Sequence, residues 1–301
     1  VLVIGLAVVG SLSYIVYCVT RPAKRPYVVT PESFSQISGR AIKVTDETWA
    51  TRDGHRSRGW LLKGAEGAPA VVLLHRYGGD RSWLFNLGVK INETTNFTVL
   101  WPDLRGHGVD PPIRWSSLGA REGDDLLASL EFLRTLKSEN QKKLVGEMFG
   151  IYGVELGAYS ALKAATQENQ IKVLVLDSVI GSPTELFNTV ASNCTGIDNS
   201  VVQALSRAAL KVYLIGGGDS RPTCAVAKTI SQQARVLLLS GGDAGQLKDA
   251  TASLGKCFPV PNNVETRTDL PLSGFSMPSA TGEQGEAYDR VVIDFFDRNL
   301  R

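Results

Sequence analysis

The chain has 301 residues, 43% of them hydrophobic, with a formal net charge of +2. That length and hydrophobic content suit one sizeable globular domain with an appendage. The near balance of charge excludes the basic footprint of a nucleic-acid binder, so no nucleic-acid partner is expected.

Residues 1 to 20, VLVIGLAVVGSLSYIVYCVT, contain no charged residue. A run of that length and character predicts a transmembrane helix embedded in a lipid bilayer. On it Gly5, Ala7, Gly10 and Ser11 form a small-residue surface that would let another membrane helix approach. Arg21, Lys24 and Arg25 follow at once, and the positive-inside rule then puts the soluble part on the cytoplasmic side. Residues 21 to 41 read as a polar, proline-containing linker, and the domain is expected to span 42 to 301.

Two alternating runs, Ile42 to Thr48 and Ser57 to Lys63, flank Asp53-Gly54 and predict a β-hairpin. A strand is expected at 70 to 75, a helix near Ser82 to Ile91, a strand at Phe97 to Trp101 and a helix over about Arg121 to Lys137. Residues 148 to 165, MFGIYGVELGAYSALKAA, read as a strand, a tight turn between Gly153 and Gly157, and an alanine-rich helix. A further strand is expected at Ile171 to Leu176, a helical excursion at 182 to 209, and strands at 212 to 215 and 235 to 239. Residues 241 to 282 show no clear period and read as one long irregular loop. A final helix runs from about Glu283 to Leu300. Strand and helix alternating in this way predict an α/β fold with a mostly parallel sheet covered on both faces.

Four cysteines, Cys18, Cys194, Cys224 and Cys257, show no metal-ligand spacing. A disulfide among the last three is open, and no metal or other cofactor is expected.

Four motifs in order resemble the α/β-hydrolase family. They are the run ending in His75-Arg76-Tyr77-Gly78-Gly79, the VLWPDLRGHG turn of 99 to 108, the Gly153 to Gly157 elbow, and VYLIGGGD at 212 to 219. The resemblance implies a serine at the elbow, an acid after a later strand and a histidine after the last one. Here the elbow residue is Glu155, the acid position falls on Asp219, and all three histidines, His55, His75 and His107, precede the elbow.

A degenerate triad on an intact scaffold leads to the expectation of a non-catalytic, membrane-anchored accessory or interaction subunit of a membrane protein complex. Two alternatives stand beside it. One is a residual hydrolase using Glu155 on a small ester, halide or epoxide. The other is a receptor for a small hydrophobic ligand beneath the 182 to 209 segment. Arg76 replaces the glycine that usually follows the histidine position in the family. A buried carboxylate needs a donor, so Glu155 is expected to bond to Arg76, or failing it to a tyrosine or backbone amide of the 75 to 79 loop.

Overall fold

A computed structural model describes residues 2–39, 41–196, 199–213, 221–279 and 282–301. Its centre is one sheet, in the strand order β1-β2-β4-β3-β5-β6-β7-β8. Here β1 is Val44–Ala50, β2 Arg56–Leu62, β3 Ala68–Leu74, β4 Thr98–Pro102, β5 Val145–Val154, β6 Ile171–Asp177, β7 Arg235–Leu239 and β8 Val264–Arg267. The predicted hairpin forms β1 and β2, and β2 lies antiparallel to β4. From β4 onward every pairing is parallel.

Parallel strands need crossover connections, and the helices that make them bury both faces of the sheet. The alternation of side chains along β3 shows the result. Ala70, Val72 and Leu74 enter one core with α4 (Glu122–Thr135) and α5 (Leu156–Ala165). Val71 and Leu73 enter the other, with α3 (Phe85–Thr95) and α10 (Gly282–Leu300). All five are fully buried, so a register slip of one residue would exchange the two cores.

Several expectations need correction. The segment read as a linker contains α2 (Pro31–Ser38), started by a reciprocal capping box between Thr30 and Ser33; its Phe34 ring meets Phe85 edge-on at 5.4 Å. The strand expected at 212 to 215 is absent at its start. Val212 and Tyr213 end α7 (Ser200–Tyr213), and the remainder, with Asp219, lies outside the described residues. The 182 to 209 excursion is a helix pair, α6 (Pro183–Thr195) and α7, followed by a short α8 (Thr223–Ala227). The long stretch of 241 to 282 is not one irregular loop, since it carries α9 (Gln246–Leu254) and the edge strand β8.

The N-terminal helix α1 (Leu2–Thr20) is the largest correction. Among the described residues, no helix is long and apolar enough to cross a membrane. The second half of α1 is committed to protein instead. Ile15, Val16, Val19 and Thr20 are buried, Ser116 N–H donates to Thr20 O at 2.7 Å, and the Tyr77 hydroxyl donates to Val19 O at 2.8 Å. Cys18 forms a disulfide with Cys194 of α6, with Cα atoms 6.4 Å apart. The single-pass span and the cytoplasmic orientation built on it are therefore withdrawn. Gly5, Ala7, Gly10 and Ser11 are exposed, because α1 makes its contacts through the turns that follow them. A second disulfide joins Cys224 to Cys257, and two such bonds suit an oxidising compartment.

Candidate active site

The turn from β5 into α5 places Glu155 at the carboxyl end of the sheet. Its backbone has φ 51° and ψ −104°, a conformation that costs a non-glycine residue on the order of 1–3 kcal/mol and is held only where the surroundings over-determine it. The surroundings here are tight. A Cβ on Gly157 would run into the carbonyls of Leu74 and His75, and one on Gly153 into the Gly157 backbone. The Glu155 amide is anchored to Asp177 O at 3.0 Å. The elbow thus keeps its geometry although its residue is not a serine.

The Glu155 carboxylate accepts a hydrogen bond from the Tyr77 amide at 2.8 Å. This amide belongs to the loop after β3, where the resemblance places an oxyanion donor. The expected Arg76 pairing is not formed, and among the described residues no ion pair joins the two. The Arg76 guanidinium lies instead over the Trp83 ring at 4.5 Å and the Phe275 ring at 4.9 Å. The physical reason is reach: the Tyr77 amide lies beside the elbow, and the flat arginine gains more by stacking between two rings. Burial pushes the Glu155 carboxyl up to about 7, against the opposing pull of the Tyr77 amide and the Arg76 charge.

That shift has a consequence for stability. Between pH 4.5 and 7 the folded protein holds a proton on Glu155 that the unfolded chain has released, so stability falls as pH rises through this window. At about 1.4 kcal/mol per unit, Glu155→Gln should be more stable than the parent by up to about 3 kcal/mol at pH 8 and nearly equal to it at pH 4. Urea melts at the two pH values measure this, and a difference independent of pH would contradict a raised Glu155.

His75 and His107 stand under the same loop, with ring centroids 5.0 Å apart. Every ring nitrogen is engaged. Nδ1 of His75 faces Arg76 O at 2.8 Å while its Nε2 accepts the Leu104 amide at 3.1 Å. Nδ1 of His107 faces Arg105 O at 2.9 Å while its Nε2 accepts the Gly78 amide at 3.0 Å. Burial holds His75 down to about 4 and, together with its neighbour His75, holds His107 down to about 3. Both are neutral braces of the two loops with no nitrogen left for proton transfer to a substrate.

A second carboxylate stands at the end of the next strand. The strand that follows β6 in the sheet is β7, and its carboxyl end runs into Ser240 to Asp243, so Asp243 stands at that end, while Asp219 lies outside the described residues. Ser276, on the segment after β8, donates to the Asp243 carboxylate. The neighbouring Gly274 amide donates to Asp177 at 2.8 Å. Asp177 also accepts from the Tyr288 hydroxyl, which bonds Tyr152 at 2.7 Å. This buried chain fixes the segment that would carry a histidine, and the residues there are Gly274, Phe275 and Ser276. Among the described residues no group of histidine, cysteine and carboxylate side chains could hold a metal ion.

No family model matches the chain, and no curated protein does. Solved structures match closely in shape. The Pyrococcus furiosus esterase Pf2001 superposes with TM-score 0.65 at 19% identity, over 93% of this chain and 100% of its own. An esterase of Pyrobaculum calidifontis gives 0.58 at 14%, over 90% and 91%. A dienelactone hydrolase from Anabaena variabilis gives 0.57 at 12%, over 86% and 99%. The accessory-subunit expectation falls with these findings, because the proteins that share the architecture are esterases and hydrolases, and the helix meant to hold a subunit in a membrane is docked on the domain. Strand order, elbow and superposition agree: the chain has the α/β-hydrolase fold.

Proposed function

We propose that this protein is a hydrolase-fold enzyme with a degenerate triad, in which the Glu155 carboxyl acts as a general base on small activated esters. The observation that carries this reading is the elbow itself, a strained backbone that presents one carboxyl with proton affinity near neutrality beneath the Tyr77 amide. A base is most effective when its pKa lies near the working pH. In its ionised form Glu155 takes a proton from water as the oxygen adds to the ester carbonyl. The proton then returns to the departing alkoxide, giving acid and alcohol and restoring Glu155. A lone general base supplies roughly 10²–10⁴-fold, so turnover is slow beside that of a serine enzyme.

Hydrolysis of p-nitrophenyl acetate tests the reading. The rate should rise with pH through a midpoint near 7, fall at least about 10²-fold in Glu155→Ala, and proceed without a covalent adduct to a serine-directed fluorophosphonate. A rate unchanged in Glu155→Ala would remove Glu155 from the reaction, and fluorophosphonate labelling would restore a serine mechanism.

A further inference from the structure

Three other arginines in this half of the molecule show what an enclosed guanidinium ordinarily has beside it. Arg81 pairs with Asp46 at 2.9 Å and Asp103 at 3.5 Å. Arg105 pairs with Asp125 at 2.5 Å and Asp53 at 3.2 Å. Arg58 pairs with Asp103 at 3.2 Å. Arg76, half-buried at the elbow, has no carboxylate of this kind among the described residues. Among the described residues its side chain makes one hydrogen bond, a long contact of 3.4 Å from Nη1 to Tyr77 O, and its Nε is buried without a partner there.

An enclosed donor left unpaired costs about 1–3 kcal/mol, and more when charged. The Trp83 and Phe275 rings, 4.5 and 4.9 Å from the guanidinium carbon, offset part of that cost, but they accept no N–H hydrogen bond along its edge, which has only the long contact to Tyr77 O. Glu155 is the nearest candidate counter-charge, yet its carboxyl bonds to the Tyr77 amide and does not pair with Arg76. A second cation, Arg25, adds to the positive field at this point. Burial and Arg25 both act to lower the proton affinity of Arg76, and only Glu155 opposes them. A planar fork of donors between two aromatic rings is the arrangement that receives a carboxylate in two parallel hydrogen bonds while the rings contact the apolar part of the same molecule.

We propose that Arg76, held between Trp83 and Phe275 beside Glu155, is a receptor for the carboxylate group of a small organic ligand, so that the molecules taken at the elbow are carboxylate-bearing. The proposal rests on the elbow being a binding site and does not require turnover.

The test uses the full chain and two isosteric probes, benzoate and benzamide, with inorganic phosphate as a third arm, each followed by titration calorimetry. Benzoate should bind at least about tenfold more tightly than benzamide, a difference of about 1.4 kcal/mol. Arg76→Gln should abolish that preference, and Arg76→Lys, which keeps the charge but not the fork, should retain only part of it. Glu155→Gln should bind benzoate at least as well as the parent, so a failure of ester hydrolysis and a failure of carboxylate recognition are read separately. Equal binding of benzoate and benzamide, binding of neither, or a preference that survives in Arg76→Gln would overturn the proposal. Binding of phosphate but not benzoate would overturn the assignment to organic carboxylates. Circular dichroism of each variant checks that the fold persists, and Arg76→Lys keeps the test decisive if Arg76→Gln does not fold.

Discussion

A Cys18→Ser/Cys194→Ser variant is expected to lose about 5 kcal/mol of stability, the effect a chain-entropy estimate assigns to closing so long a loop. The two cysteines are 176 positions apart, so the bond removes freedom from most of the unfolded chain. Its structural role is local as well, since it joins the docked half of α1 to α6. The loss should therefore appear in two measurements. Denaturant unfolding of the variant should shift as a whole, and backbone amides of α1 should exchange with solvent faster than those of the central strands. The second bond, Cys224–Cys257, closes a loop of sequence separation only 33, and replacing both of its cysteines by serine should cost about 1.5 kcal/mol less on the same estimate. Equal losses from the two pairs would show that native-state contacts, and not the unfolded chain, set the effect.

Arg105→Ala should cost about 3–5 kcal/mol, the usual result of leaving a buried partner without its counter-charge. The guanidinium side chain is 1% exposed and that of Asp125 9%, so neither can turn to solvent. The arginine favours the charged form of both acids, yet their net shifts are opposite. Burial pushes Asp125 up to about 6 in spite of the guanidinium. Asp53, less enclosed, is held down to about 2, the Thr51 hydroxyl and Arg105 outweighing its burial. Removing the cation should raise Asp125 further, so that the variant loses stability as pH rises from about 4 through its folded pKa. The double variant Arg105→Ala/Asp125→Asn, which no longer buries an unpaired carboxylate, should recover part of the loss. Thermal melts of the two variants across pH 5 to 8 measure it, and absence of any recovery would mean that packing of the arginine stem dominates.

What the sequence made legible, and what it hid, follow from the kinds of signal involved. The elbow was plain because two glycines at fixed spacing answer to a backbone crowding that no other residue type tolerates. The central strands were plain because side chains buried on both faces leave near-continuous apolar runs. By contrast β8, Val-Glu-Thr-Arg, lies at the sheet edge with mostly exposed side chains and leaves no such run. Val212-Tyr213 is apolar and short, and a short apolar segment has no period that separates strand from helix. That ambiguity explains the strand expected where α7 ends. The apolar character of α1 was read correctly as a helix and wrongly as a span, because burial against protein and burial in lipid select the same side chains. The Cys18–Cys194 bond that distinguishes them joins positions too far apart for spacing to reveal. Arg76 was seen to be unusual, but its direction depends on Trp83 and Phe275, which reach it from other parts of the chain.

The bracing of the two inner histidines has a further effect on the solution behaviour of the molecule. Proton exchange near neutral pH is ordinarily the business of imidazoles, yet His75 and His107 lie well below that range. Carboxyl groups take their place, with Glu155 at about 7 and Asp177 and Asp125 at about 6. The buffering capacity that these buried sites contribute around neutrality is therefore that of acids, which ionise with little heat, and acidification from pH 8 to 5 discharges anions in the interior instead of charging cations there.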